Sequence, residues 1–138
     1  RRRLFATFTR LKPSPIATDI VVPLSKIPQA IREIQEIARK NDIVISTYGH
    51  AGDGNLHSLM LADLRVSGES ERAHKAHDEI NEMAMALGGT ITGEHGIGME
   101  KRKLTVEEHG DVGVDIMRTI KKALDPNGIM NPDKIFEG

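Results

Sequence analysis

Apolar and polar positions alternate along the chain with two different periods. Asp19-Ile-Val-Val-Pro23 is a short β-branched run stopped by proline, the pattern of a first strand. A helical stripe follows: Ile27, Ala30, Ile31, Ile34, Ile37 and Ala38 fall on one face, with Ser25 available as a cap and Pro28 in the first turn. Ile43 to Tyr48 reads as a second strand and Asn55 to Leu61 as a third. After the Ser67-Gly68 break, a second helix is expected from about Ser70 to Leu87, with Ala73, Ala76, Ile80, Met83, Ala84 and Leu87 on one side and Gly88-Gly89 at its end. Thr90-Ile-Thr92 reads as a short fourth strand. A last helix runs roughly from Val106 to Leu124, with Val112, Ile116, Ile120 and Ala123 inward, and Asp125-Pro-Asn-Gly128 stops it. The tail from Ile129 to Gly138 reads as irregular, and Leu4 to Thr18 as extended or partly helical.

The order is β-α-β-β-α-β followed by a helix. It predicts an α+β fold: a ferredoxin-like βαββαβ antiparallel sheet with helices on one face, plus a C-terminal helix. At 138 residues the chain suits one core rather than two domains. It starts at Arg1 without a methionine and reads as a fragment of something larger. No apolar run approaches a membrane span, and no signal-peptide pattern is present.

Composition narrows the chemistry. A net charge of −1 provides no global field for nucleic acid or an anionic membrane, and 3% aromatics leave few platforms for stacking bases. Cysteine is absent, which excludes disulfides, thiolate zinc sites and cysteine-held iron–sulfur clusters within the chain. Two glycine-rich segments concentrate what remains: GHAGDGNLH (49–57) and GEHGIG (93–98) hold three of the six histidines.

His50 ends the second strand and His57 lies early in the third, with the turn dipeptide Asp53-Gly54 between them. A hairpin brings the two imidazoles alongside each other, about 5 Å apart at Cβ, which suits two ligands on one cation. The plainer alternative is a tight hairpin whose histidines face solvent. Glu94 follows the fourth strand, and one carboxylate from here completes a two-histidine, one-carboxylate set with open positions for substrate. His95 is then free to take a proton. Here the alternative is an exposed glycine loop. The order of glycines is not that of a dinucleotide fingerprint. His74 and His77, at i and i+3, read as a solvated surface pair, as does His109 near a helix start. Arg1 to Arg3 form a charge run, although an arginine is the natural partner of a substrate carboxylate. Met83 and Met117 fall at core spacing.

GHAGDGNLH, GGTITGEHGIGMEKRKL and LDPNGIMNPDKIF, in that order, resemble the C-terminal domain of FAD-linked oxidases, the group of D-lactate dehydrogenases, the glycolate oxidase flavin subunit and D-2-hydroxyglutarate dehydrogenase. The resemblance covers essentially the whole chain, so residues 1–138 would be that domain. It implies a substrate domain packed over an FAD-binding domain that lies before Arg1 in the same parent chain. It also implies a divalent metal, zinc ahead of manganese or iron, held by His50, His57 and Glu94. His95 is implied as the base, Arg2 (or Arg1 or Arg3) and Asn55 as substrate contacts, and Lys101 and Asn131 as contacts to the flavin or the domain interface. The implied reaction is oxidation of a D-2-hydroxy acid to the 2-oxo acid by the parent protein, the fragment alone being inactive. An iron–sulfur or other electron-transfer partner, a homodimer, and a cytoplasmic location with peripheral membrane attachment through the electron acceptor belong to the same set of expectations. No nucleic-acid partner is expected. Two departures stand out: NPDK replaces the commoner NPGK, and Ala17 stands where some relatives have a lysine for a second substrate carboxylate. A non-catalytic metal- or small-acid-binding module and a free-standing metal hydrolase are the competing classes.

Overall fold

In a computed structural model of the chain, residues 4–136 are described, with the side chains of residues 4–6 excepted. They form α1 (Leu4–Leu11), β1 (Ile16–Val21), a 3-10 turn (Leu24–Lys26), α2 (Ile27–Lys40), β2 (Val44–His50), β3 (Asn55–Leu61), α3 (Glu69–Ala86) and α4 (Arg102–Leu124). Two compact units divide the chain, residues 1–93 and 94–138.

The first unit is an antiparallel sheet in the order β1-β3-β2, with β3 in the centre. Its register pairs Ile20 with Leu56, and Asp19 with His57, on one side; on the other it pairs Tyr48 with His57 and His50 with Asn55. All seven residues of β3 are buried, so both faces of the sheet are covered there. Successive strand residues point to opposite faces. Ile20, Leu56 and Met60 therefore share one face, where they join Ala30 and Ile34 of α2 and Ala73, Ala76, Ile80, Met83 and Ala84 of α3 in the core. α2 packs on β2 and α3, and α3 on β1 and β3, so both helices lie on that face. Thr18 also points there and donates to the Asn81 amide oxygen of α3 at 3.2 Å.

The α+β class and the one-sided placement of α2 and α3 follow the expectation; the fourth strand does not. Among the described residues, Thr90 makes one isolated antiparallel bridge to Val21 rather than a strand. The bridge lies on the free edge of β1, where the fourth strand of a ferredoxin-like sheet belongs. The chain comes in close there: at Gly89 a Cβ would come within 2.0 Å of the Val21 carbonyl oxygen, so this approach requires glycine. Ser25 does not cap α2 either. It falls inside the 3-10 turn, and the residue before the helix, Lys26, makes no side-chain cap. The unreadable segment before β1 is both things at once, a helix to Leu11 and then a strand from Ile16.

In the second unit α4 starts four residues earlier than expected and breaks at Gly110, whose φ of 67° and ψ of 167° are not helical. The expected inward stripe is exposed: Val112, Ile116 and Ile120 are all more than half accessible, while Leu104, Thr105 and Val114 are buried. Among the described residues no helix is long and apolar enough to cross a membrane.

Ile80 is fully buried and Val112 is not. Truncating a core isoleucine costs about 2–5 kcal/mol, whereas exposed positions stay within about 0.5 kcal/mol. Urea unfolding followed by far-ultraviolet circular dichroism is expected to show this separation between Ile80→Ala and Val112→Ala. Equal losses would mean that α3 does not anchor the core.

Candidate functional site

The pleat that sends Leu56 and Met60 into the core sends Asn55, His57, Leu59 and Leu61 the other way. On β2 the same alternation puts Tyr48 and His50 on that second face, and on β1 it puts Asp19 there. Two cross-strand rows result, Asp19–His57–Tyr48 and Val21–Asn55–His50. His50 and His57 are thus diagonal neighbours, not directly opposed, because four residues, Ala51 to Gly54, join the strands. The Asp53 amide closes the turn on the His50 carbonyl at 2.9 Å, and Gly54 takes a φ of 76°, where a Cβ would lie 2.1 Å from the Val22 carbonyl oxygen. Only glycine fits that corner.

The two imidazole centroids are 5.5 Å apart at 82°, and a ring nitrogen of each lies within 4.8 Å of one on the other. Tyr48 flanks His57 at 5.3 Å. Asn55, His57 and Asp19 are buried, and His50 is half-buried. Among the described residues, the side-chain oxygen of Asn55 is buried without a hydrogen-bond partner. In a folded protein such an atom marks a place where a polar ligand or water belongs.

Asp19 was not among the residues singled out from the sequence. Its carboxylate is 1% exposed, accepts the Gly93 N–H at 2.8 Å and the Thr92 hydroxyl at 3.2 Å, and lies within 4.8 Å of a His57 ring nitrogen. The available signal was its residue type: aspartate is depleted in strands and seldom fully buried, yet this one opens a run of Ile-Val-Val.

Glu94 and His95 begin the second unit. Both are more than half exposed, and their side chains approach to 3.8 Å. Lys101 is buried, and Asn131 is exposed. The tail that carries Asn131 is irregular but tethered. Asp125 accepts the Ile129 and Met130 amides at 3.0 and 2.9 Å and also pairs with Lys121. Arg102 donates to the Asp133 and Lys134 carbonyls, and the Arg118 guanidinium stacks 5.6 Å over Phe136. Asp133 has a φ of 55°, the left-handed region that favours glycine, so a glycine at this position, as in NPGK, would meet no strain. Arg2 lies outside the described residues, so its assignment is untouched.

The histidine pair expected at the surface of α3 separates. His74 is exposed and bonds the Ser70 carbonyl oxygen at 2.7 Å, whereas His77 is turned inward with Ala73, Ala76 and Ile80 and is 3% exposed. A cavity of about 590 Å³ between α2 and β2 is lined chiefly by Ile27, Ile31, Ile34, Ile45 and Leu56. Arg39 and Tyr48 also line it, but among the described residues it gathers no histidine or carboxylate, so the candidate chemistry lies with the histidines instead.

The fold is α+β, and the polar cluster of the sheet lies on the face away from α2 and α3. The chain belongs to the family of FAD linked oxidases, C-terminal domain, whose pattern matches residues 1–135. It is similar to glycolate oxidase subunit GlcD of Bacillus subtilis, 46% identical over 99% of this chain and 29% of the relative. It is also similar to a mitochondrial cytochrome-type D-lactate dehydrogenase of Saccharomyces cerevisiae, 42% identical over 87% of this chain and 20% of the relative. A D-lactate dehydrogenase of Anaerostipes hadrus is 37% identical over 85% of this chain and 25% of the relative. The chain therefore spans less than a third of the length of these relatives.

The Lys121 ammonium, then the Met130 and Ile129 amides, hold the Asp125 carboxyl below the usual carboxylate range. A depressed folded pKa contributes stability that is complete above the unfolded value and is lost as pH falls through the folded one. The protection factors of the Ile129 and Met130 amides, measured against intrinsic exchange at each pH, are expected to fall on acidification below the ordinary carboxylate range, and to be low at every pH in Asp125→Ala. Protection of both amides in that variant would show that other contacts hold the tail.

Proposed function

We propose that this chain is the substrate- and metal-binding part of an FAD-dependent oxidoreductase that oxidises a D-2-hydroxy acid, of the glycolate or D-lactate type, to the 2-oxo acid. The observation that carries the metal part of this reading is the edge-on pair His50 and His57, set on a rigid sheet beside an unsatisfied Asn55 oxygen. Gly93 is fastened to Asp19 on the same sheet face, and Glu94 follows it by one peptide bond. Two imidazoles with one carboxylate form a nitrogen–oxygen donor set that suits zinc, manganese or iron. The residues present fit such an ion.

His50, His57 and Glu94 would hold the cation, which when bound supplies Lewis-acid polarisation of the substrate hydroxyl. FAD, carried by a domain of the parent polypeptide, supplies the acceptor for the Cα hydride. His95 takes the hydroxyl proton, so that loss of the hydride leaves a C=O bond and no net charge on the new oxygen. A placed base contributes roughly 10²- to 10⁴-fold. Arg2 pairs with the substrate carboxylate, and Asn55 donates its amide to a substrate oxygen. Lys101 and Asn131 lie in the motifs that meet the flavin or the domain boundary. With Ala17 in place of a lysine, the pocket has no second cation there for a dicarboxylate. The names of the relatives, glycolate oxidase subunit and D-lactate dehydrogenase, support a small monocarboxylic substrate. Electrons would leave the flavin for an iron–sulfur or comparable partner, with the protein cytoplasmic and any membrane contact peripheral.

The test is metal analysis of the parent polypeptide together with a panel of D-2-hydroxy acids and an artificial electron acceptor. His95→Ala is expected to retain its metal and lose 10²- to 10⁴-fold in kcat. His50→Ala is expected to lose the metal itself. Full activity in His95→Ala, or undiminished metal in His50→Ala, would reject the assignment. Metal binding with no turnover of any hydroxy acid would favour a non-catalytic binding module.

A further inference from the structure

A buried carboxylate is costly unless it is hydrogen-bonded, and Asp19 is 1% exposed. Its neighbours show what it is bonded to. In the register of the sheet it stands directly opposite His57, on the face away from α2 and α3, with a carboxylate oxygen within 4.8 Å of a His57 ring nitrogen. One oxygen accepts the Gly93 N–H at 2.8 Å, the length of a charge-assisted bond, and the other accepts the Thr92 hydroxyl at 3.2 Å. Gly93 in turn lies so close to Asn55 that a Cβ there would fall 2.4 Å from the Asn55 amide nitrogen. One carboxylate thus faces a histidine of the strand and also fixes the last residue before Glu94.

We propose that Asp19 is a positioning residue that sets the imidazole of His57 from across the sheet and pins Gly93, so that the carboxylate of Glu94 starts from a fixed point beside the two histidines. The proposal rests on the metal reading above for its consequence, and on the hydrogen bonds to Thr92 and Gly93 for its geometry. Second partners of this kind hold a metal-binding imidazole in one orientation, and their loss typically weakens metal binding 10- to 100-fold. The Thr92–Gly93 clamp adds a backbone element. Without it, the residue ahead of Glu94 keeps its neighbours in the chain and its packing against Asn55 and Val21. Asp19 makes no contact with substrate in this account; it acts through His57 and Gly93.

Asp19→Asn keeps the shape and one acceptor while removing the charge and one acceptor oxygen. Two readouts are taken on the 138-residue chain, each variant first checked for a folded amide spectrum. The first needs no metal. Hydrogen exchange at the Gly93 amide, followed by nuclear magnetic resonance, is expected to speed up at least 10-fold in Asp19→Asn, together with a shift of the His57 ring-nitrogen signals. The second is calorimetric titration with zinc chloride alone. Asp19→Asn is expected to bind 10- to 100-fold more weakly than the unaltered chain. Thr18→Val is the control: it removes the hydrogen bond to Asn81 on the opposite face and is expected to change neither readout. Unchanged Gly93 exchange in Asp19→Asn, unchanged zinc affinity where the unaltered chain binds zinc, or an equal loss of affinity in Thr18→Val overturns the proposal. If the unaltered chain binds no zinc, the zinc form of the metal reading fails, and the exchange and ring-nitrogen measurements alone decide whether Asp19 positions His57 and Gly93.

Discussion

β3 is buried on both faces, and this single constraint ties the core to the site. A strand in that position has no solvent to absorb a polar side chain, so each polar residue on it must be matched by a neighbour. Ser58 lies 3.3 Å from the Thr47 hydroxyl and His57 faces Asp19 and Tyr48 in the adjoining strands; the exception is Asn55, in register with His50, whose side-chain oxygen has no partner among the described residues. The pleat then does the sorting. A shift of one residue would turn Leu56 and Met60 out of the core and His57 into it. The apolar packing of Ile20, Leu56, Met60 and Ile80 therefore sets the histidine pair as firmly as any contact among the histidines themselves.

The helix–sheet layer is braced in the same sense. Glu79 of α3 accepts from Lys40 and Asn41 at the end of α2, at 2.8 and 2.9 Å. Glu69, at the start of α3, accepts from Lys12 and from the Asp63 amide just beyond β3. These partly exposed pairs contribute little stability singly. Their effect is positional: they bracket α3 at its beginning and middle, and so hold the core side of β1 and β3 against which the polar rows are registered.

Much of this was legible in the residue pattern, and the failures have identifiable causes. Asn55–Leu61 reads as a strand because Leu56, Met60 and their neighbours satisfy both faces, and its bounds come out to the residue. The stripes of α2 and α3 are equally plain, since Ala30, Ile34, Ala73, Ala76 and Ile80 repeat at helical spacing and end up buried. The fourth strand was over-read: three β-branched-rich residues satisfy the propensity for a strand, but so short a run between glycines makes one bridge among the described residues. His77 was misread because a polar type at a helical position says nothing about which turn of the helix faces the sheet. The convergence of His50 and His57 followed from the Asp53-Gly54 turn, although the four-residue connection makes them diagonal. Asp19 was passed over because a short strand sequence gives no account of what lies across the sheet or beyond its end.

Helical spacing identifies an apolar face but not the surface that covers it, and α4 makes the difference visible. Val112, Ile116 and Ile120 repeat as regularly as the buried stripe of α2, yet they stand exposed, while the segment they belong to is held mainly by polar tethers at Asp125, Arg102 and Arg118. A segment of this length buries too little apolar surface to form a sizeable core of its own. The division of labour in the candidate site has the same physical basis. Groups that must keep a fixed separation, His50 and His57, sit on paired strands, where main-chain hydrogen bonds limit their movement. Glu94 and His95, proposed above as a metal ligand and a base, occupy an irregular glycine-flanked segment, where both side chains are more than half exposed. Strands supply distance and loops supply access. The Asp19–Gly93 hydrogen bond lies at the join, where a rigid sheet hands the chain over to a segment that has to reach the reacting atoms.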